Sequence, residues 1–210
     1  MPSAGQASRD LSARQRSRFR RADEIVDAAA RVFAKLGYFG ASTKDIADLL
    51  GIRQASLYYY FPSKEAALEE VCNRAVANFV ESAQQIADGE RSATEKLDGL
   101  VHSHLKPLEV RPDYARVFLS ERRYLPARSR RRIGRLSRQL ERIFEEVLKE
   151  GVRTGEFQPG LDTRLATLAL LGMLNAVAVW YPKARNGDLK KICETFVRLA
   201  LVGVAAGGDA

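Results

Sequence analysis

The sequence predicts an all-α chain, a small N-terminal three-helix unit joined to a larger helical body. Three observations carry that reading. Apolar residues recur at spacings of three and four through most of the 210 residues, the stripe of amphipathic helices. Ser, Asp, Gly and Pro punctuate those stripes where helices start and stop. No stretch alternates apolar and polar residues as a strand does, and no internal repeat competes. With 46% hydrophobic and 29% charged residues, the composition excludes disordered, collagen-like and disulfide-stapled classes. Cys72 and Cys193 lie far apart with no Cys-x-x-Cys pair, so both read as small buried apolar residues.

Residues 1–21 are rich in Ser, Gln, Arg and Gly and poor in apolar side chains, which predicts a flexible basic arm without the apolar core of a secretory signal. Val26, Ala29, Phe33 and Leu36 then give a first helix over Ala22–Leu36 its apolar face, and Gly37 stops it. Ser42, with Asp45 three residues on, caps a second helix that ends at Leu50 before Gly51. A third helix is expected over Ile52–Phe61, closed by Pro62. Ser63 caps a fourth that runs from Lys64 to Gln85. Further helices follow near Ala93–Glu109, Asp113–Tyr124, Ser129–Gly151, Asp162–Tyr181 and Gly187–Val204. Their breaks are Arg111-Pro112, Leu125-Pro126, Gly155–Gly160 and Pro182–Asn186. The expected organisation is an arm over 1–21, a helix-turn-helix unit over 22–68 and a body over 69–206. The uncharged run from Leu165 to Pro182 barely reaches the roughly 20 apolar residues of a bilayer span. It reads as a buried helix of a cytoplasmic protein with no membrane partner.

The net charge of +8 is uneven. Residues 1–64 hold eleven Lys or Arg against six acids, residues 121–142 nine against two, and the remainder fourteen against eighteen. Two basic patches on an otherwise acidic chain point to two anionic contacts, nucleic acid first among them, with a solvated face as the plain alternative for each. The strongest local pattern lies between Thr43 and Pro62. Ala47 is small enough for two helices to touch, Gly51 four residues later tolerates a sharp turn, and Ile46, Leu50, Ile52, Leu57 and Tyr60 lock the helices together. This leaves Arg53, Gln54, Ala55, Ser56, Tyr58 and Tyr59 on or near the outer face of the second helix, where a major groove is read.

The run Ser42–Leu68, STKDIADLLGIRQASLYYYFPSKEAAL, resembles the signature of the TetR family of bacterial repressors. Asp45-Ile46-Ala47, Gly51, Leu57-Tyr58, Tyr60-Phe61 and Ser63-Lys64-Glu65-Ala66 fall in register with it. The sequence departs at Arg53, where the family more often has a capping Ser, and at Gln54, where Lys is common. The resemblance implies a DNA-binding domain read through the second and third helices, and a helical body that dimerises and holds a small-molecule effector. It implies a homodimer on a palindromic operator in double-stranded DNA. Thr43 and Lys44 then start their helix where a phosphate sits. Gln54 either reads adenine through its amide or is a surface polar residue. Tyr58 and Tyr59 offer hydroxyls to phosphates, and Lys64 is a point charge beside the DNA backbone. Arg14, Arg16, Arg18, Arg20 and Arg21 either add contacts from the arm or solubilise it.

In the body, Arg122, Arg123 and Arg130 lead the arginine-rich segment 121–142. It is either a solvated or dimer-edge face or a site for the phosphates of an anionic ligand. The stretch Glu121–Pro182, with Gly155-Glu156-Phe157 and Trp180-Tyr181-Pro182, is similar to the effector domain of TetR members that control fatty-acid or steroid breakdown and respond to acyl-coenzyme A thioesters. The expected effector is a small hydrophobic molecule: either an acyl-CoA, its phosphates on the arginines and its chain in an apolar tunnel beside Met173 and Trp180, or a drug or free fatty acid that needs no arginines. Leu168, Gly172, Phe196 and Leu199 lie on apolar stripes of the last two helices and are expected at the dimer interface, with a place in the monomer core as the competing reading. His102 and His104, the only histidines, point about 200° apart on a helix, so no metal site is expected. No phosphate loop, nucleophile elbow or convincing acid pair is present, so neither a cofactor nor an enzyme is expected. The expected function is a ligand-responsive, one-component transcriptional regulator, a repressor. Its rival is a helical protein that binds DNA or partners without sequence specificity.

Overall fold

The computed structural model describes residues 4–181 and 188–205, with side chains from Arg20 onward. Helix α1 (Ala4–Gly40) is longer than expected, its backbone helical from Ala4 rather than from Ala22, and no Pro or Gly interrupts it between Gln6 and Leu36. The side chains of Arg14, Arg16 and Arg18 lie outside the described residues. Gly37, at φ 69° and ψ 171°, breaks the helix as predicted, and one further turn reaches Gly40. The buried residues of α1 end at Ala34, so Leu36, expected on the apolar face, is exposed.

Helix α2 (Thr43–Leu49) starts on the expected capping box, Ser42 and Asp45 each bonding the other's backbone. Gly51 takes the left-handed turn at φ 63°. Helix α3 (Gln54–Tyr58) is shorter than the predicted Ile52–Phe61. The Ile52 N–H turns back to the Ala47 carbonyl at 3.0 Å, and the Tyr60 and Phe61 N–H groups both fold onto the Leu57 carbonyl, closing the helix on each side. Helix α4 (Lys64–Ala87) is capped by Ser63 and forms the axis of the molecule, packing against α1, α5, α7 and α8.

The body comprises α5 (Ala93–Leu105), α6 (Pro107–Val110), α7 (Pro112–Glu121), a 3-10 turn (Arg122–Tyr124), α8 (Ala127–Thr154), α9 (Thr163–Trp180) and α10 (Leu189–Val204). Two predicted helices are subdivided. Pro107 cannot continue the hydrogen-bond ladder and opens α6, and the end of α7 tightens into the 3-10 turn. The expected break at Pro182–Asn186 and the helix start at Gly187 lie outside the described residues. Burial pushes the Cys72 thiol up to about 12 and the Cys193 thiol to about 11, as suits small core residues.

Gly155-Glu156-Phe157 proves to be a structural corner. Gly155 ends α8 in the left-handed conformation at φ 79°. The Glu156 carboxylate accepts the Ala93 and Thr94 N–H groups at 3.1 and 2.9 Å, capping α5, and these bonds hold its pKa down to about 2. Phe157, fully buried, lies flat on Gly151, and the Gln158 N–H donates to the Val204 carbonyl at 2.9 Å. Helix α9 departs from expectation too. It is long and apolar enough to cross a membrane, yet it is not buried all round: Leu170, Leu171, Leu174 and Val177 face the bundle while Leu165, Leu168, Val179 and Trp180 are exposed.

Candidate nucleic-acid interface

Leu57 is the one fully buried residue of α3, and that anchor turns Gln54, Ala55, Ser56 and Tyr58 outward together with Arg53 and Tyr59 on either side. The six residues expected on a reading face therefore share one exposed surface. Arg53 stands exposed at the α3 N-cap, where a guanidinium, a donor only, cannot accept the helix N–H groups as a capping Ser would. Thr43, the first residue of α2, is nearly buried. Its Oγ1 accepts a 2.7 Å hydrogen bond from Gln54 Nε2, and the Tyr58 hydroxyl lies 3.3 Å from both groups. This triangle fixes the Gln54 amide before any base arrives, which lowers the conformational entropy lost on binding. Lys44 is highly exposed and pairs with Asp48, one turn on along α2, at 2.9 Å, a surface contact of small worth.

Lys64 is placed differently from expectation. Its ammonium donates to the carbonyls of Tyr38 and Ala41 at 2.7 and 2.9 Å and lies 4.2 Å from the centre of the Tyr38 ring. It satisfies carbonyls left open where α1 ends, so it ties α4 to α1 instead of standing free beside a nucleic acid.

Sequence reading missed the residue at the centre of this junction. Tyr38 follows the Gly37 break. Its N–H donates to Glu121 Oε2 at 2.8 Å, its carbonyl accepts from Lys64, and its hydroxyl donates to Glu65. The Glu65 bond pushes the phenol pKa up to about 12. Its ring stacks on Tyr124 at 5.5 Å, and Tyr124 meets Phe39 edge-on at 4.8 Å. These partners lie 26 to 86 residues away in the chain, so no local pattern signals them.

Below the junction, Arg122, Arg123 and Arg130 line one cavity of about 350 Å³ with Ile133, Gly134 and Ser137. The Arg122 guanidinium lies over the Phe118 ring and that of Arg123 over Tyr124, each at 4.8 Å, while Arg130 donates to the Arg123 carbonyl at 3.1 Å. None of the three has a carboxylate partner among the described residues; Glu141, on the cavity wall, pairs with Arg164 at 3.0 Å. The Ser137 hydroxyl is buried without a hydrogen-bond partner. Three guanidinium groups without a carboxylate partner and an unpaired hydroxyl thus line the same cavity, all of them donors of the kind that phosphate oxygens accept.

Residues 25–71 match the family model of bacterial regulatory proteins of the tetR family, and residues 90–204 match the tetracyclin repressor-like C-terminal domain. The chain belongs to the TetR family. This TetR-family regulator is 28% identical over 182 residues to the fatty acid metabolism regulator protein of Bacillus subtilis (strain 168), spanning 86% of this chain and 94% of that one. It is 28% identical over 185 residues to the transcriptional repressor KstR2 of Mycolicibacterium smegmatis, spanning 88% and 90%. The solved structure of the regulator FadR from Bacillus subtilis in complex with stearoyl-CoA superposes with a TM-score of 0.75 at 27% identity, covering 86% of this chain and 97% of that one.

The TetR fold does not bring Met173 and Trp180 to the arginines. Met173 lines a separate apolar cavity with Leu170 and Leu199, and Trp180, exposed on α9, lines neither that cavity nor the arginine one. A further cavity of about 280 Å³ lies among α4, the α5–α6 junction and α7, its wall partly apolar with Phe79, Tyr114 and Ala115 and partly polar with Asn78, Ser82 and Arg111. Phe118 stands between it and the arginines, 5.9 Å from Phe79 and beneath Arg122. Of the expected interface residues, Leu168, Gly172 and Leu199 are exposed, whereas Phe196 is half-buried against the core. His102 and His104 diverge as expected. His102 turns back to the Asp98 carbonyl, and His104 is buried against Phe79 with Nε2 on Asn175 Oδ1 at 3.0 Å.

Proposed function

We propose that this chain is a cytoplasmic homodimeric repressor that reads a palindromic operator through α2 and α3 of each copy and releases it when an acyl-CoA thioester binds in the body. The observation that carries the effector class is the cavity holding Arg122, Arg123 and Arg130 without neutralising carboxylates. In this reading the coenzyme's phosphates lie on those arginines, and the acyl chain passes Phe118 into the cavity lined by Phe79 and Tyr114. That path replaces the one beside Met173 and Trp180. The stearoyl-CoA complex of the B. subtilis relative supports the choice of ligand.

The second copy covers the outer face of α9, where Leu165, Leu168, Met173 and Val179 form an exposed apolar stripe with small residues at Ala169, Gly172 and Ala176, continued by Leu199 and Val202 on α10. A contiguous apolar face of this kind marks an interaction surface. The dimer sets two readers about 34 to 36 Å apart for successive major grooves, and an effector that favours another spacing releases them.

The test is to titrate stearoyl-CoA and stearate into a complex of the protein with DNA from upstream of its own gene. The titration is repeated with Arg122, Arg123 and Arg130 changed to Gln. Release by the thioester alone, lost in the triple variant, is expected. Equal release by stearate, or a footprint without sequence preference, refutes the reading.

A further inference from the structure

We infer that Glu121 and Tyr124 are positioning residues for DNA reading: they hold the kinked end of α1, and through them the arginine cavity is coupled to the reader. The coupling half rests on the effector reading above; the holding half stands on geometry alone.

Gly37 turns the Tyr38 N–H out of the helix ladder of α1, and Glu121 takes it at 2.8 Å. A carboxylate in the last turn of α7 opposes the helix dipole, so its place there calls for a compensating partner, and the N–H supplies one. Three residues on, the Tyr124 ring covers Tyr38 and Phe39. The chain then needs only Gly40, Ala41 and Ser42 to enter α2, so the pose of α2 and α3 follows the pose of Tyr38. Lys64 and Glu65 grip the same residue from the start of α4. The reader is thus held between α4 and the segment 121–124.

Arg122 and Arg123 lie inside that segment, between the two holding side chains. Both arginines line the cavity, Arg123 rests on the Tyr124 ring, and Arg130 bonds the Arg123 carbonyl. An anion that draws these guanidinium groups inward pulls on the turn that grips Tyr38. The coupling needs no direct contact between effector and reader, only a shift of one 3-10 turn, an element that repacks readily because its hydrogen bonds are poor.

The experiment compares wild type with Glu121→Ala, Glu121→Gln, Tyr124→Ala and Tyr124→Phe. Operator affinity is measured at several salt concentrations with and without stearoyl-CoA, and stearoyl-CoA binding to the DNA-free protein is measured by calorimetry. Both alanine variants should lose about fivefold to tenfold in operator affinity with an unchanged salt slope, since neither residue touches phosphate. Gln keeps an acceptor and Phe keeps the ring, so both should restore most of the affinity. In the alanine variants stearoyl-CoA should bind as in wild type while its effect on operator affinity falls to less than twofold. Undiminished release from the alanine variants overturns the coupling. If stearoyl-CoA binds no form of the protein, the effector reading fails instead. Glu121 and Tyr124 are then judged on the DNA measurements: affinity unchanged in the alanine variants, or a loss that Gln and Phe do not restore, overturns their role.

Discussion

Lowering the pH should destabilise this protein through one side chain. His104 is buried with its ring stacked on Phe79 and edge-on to Phe144, and Nδ1 has no partner. Burial pulls its pKa from the ordinary value near 6.5 down to about 4, the bond to Asn175 opposing only in part. Above pH 7 the imidazole is neutral in both folded and unfolded chains and contributes no pH dependence. Between about 6.5 and 4 the unfolded chain takes up a proton that the folded one refuses, so stability falls as pH falls, and the loss levels off below 4. The gap is worth about 3 kcal/mol in full and about 2 kcal/mol by pH 4.5. Urea denaturation of wild type and His104→Phe from pH 7.5 to 4.5 isolates the effect, because Glu156 and the other carboxylates titrate alike in both proteins. Wild type should lose about 2 kcal/mol more than the variant over that range. Parallel curves would falsify the assignment of a buried, neutral imidazole.

Gly151→Ala should cost about 2 kcal/mol and lower the melting temperature by roughly 4 to 8 °C, because a Cβ there falls 2.1 to 2.8 Å from the ring of buried Phe157; an unchanged calorimetric midpoint would show that the corner yields freely. Thr43→Val removes the acceptor that fixes Gln54 and should weaken operator binding about fivefold in fluorescence anisotropy, with Thr43→Ser restoring it; equal affinity for wild type and Thr43→Val would dismiss the triangle as incidental.

The reader was legible in the sequence because its determinants are local. Ser42 and Asp45 cap within four residues, Gly51 meets the one backbone angle it suits, and Leu57 alone separates the inner from the outer side of α3. The ends of α3 were less legible, since the bonds that close it run from Ile52 to Ala47 and from Tyr60 to Leu57 and compete with a helical pattern the side chains permit. Gly155-Glu156-Phe157 drew attention as a motif, but its capping of α5 depends on contacts across more than 60 residues. Met173 and Trp180 were grouped with the arginines by composition, yet which face of α9 meets the bundle is a tertiary fact. Glu121 and Tyr38, 83 residues apart, left no trace in spacing or charge.

The shortness of α3 bears on how operator choice changes over time. Five residues have no helical stability of their own, and no side chain caps the first turn. The angle at which Gln54 and Ser56 face a groove is therefore decided by how Leu57 seats in the core beside Ile46 and Ala47. A substitution in that socket, invisible from outside, rotates every exposed reading residue at once while leaving each of them unchanged. Two relatives with identical outward-facing residues on α3 can then prefer different sequences, and a recognition code written only from surface positions would assign them the same operator.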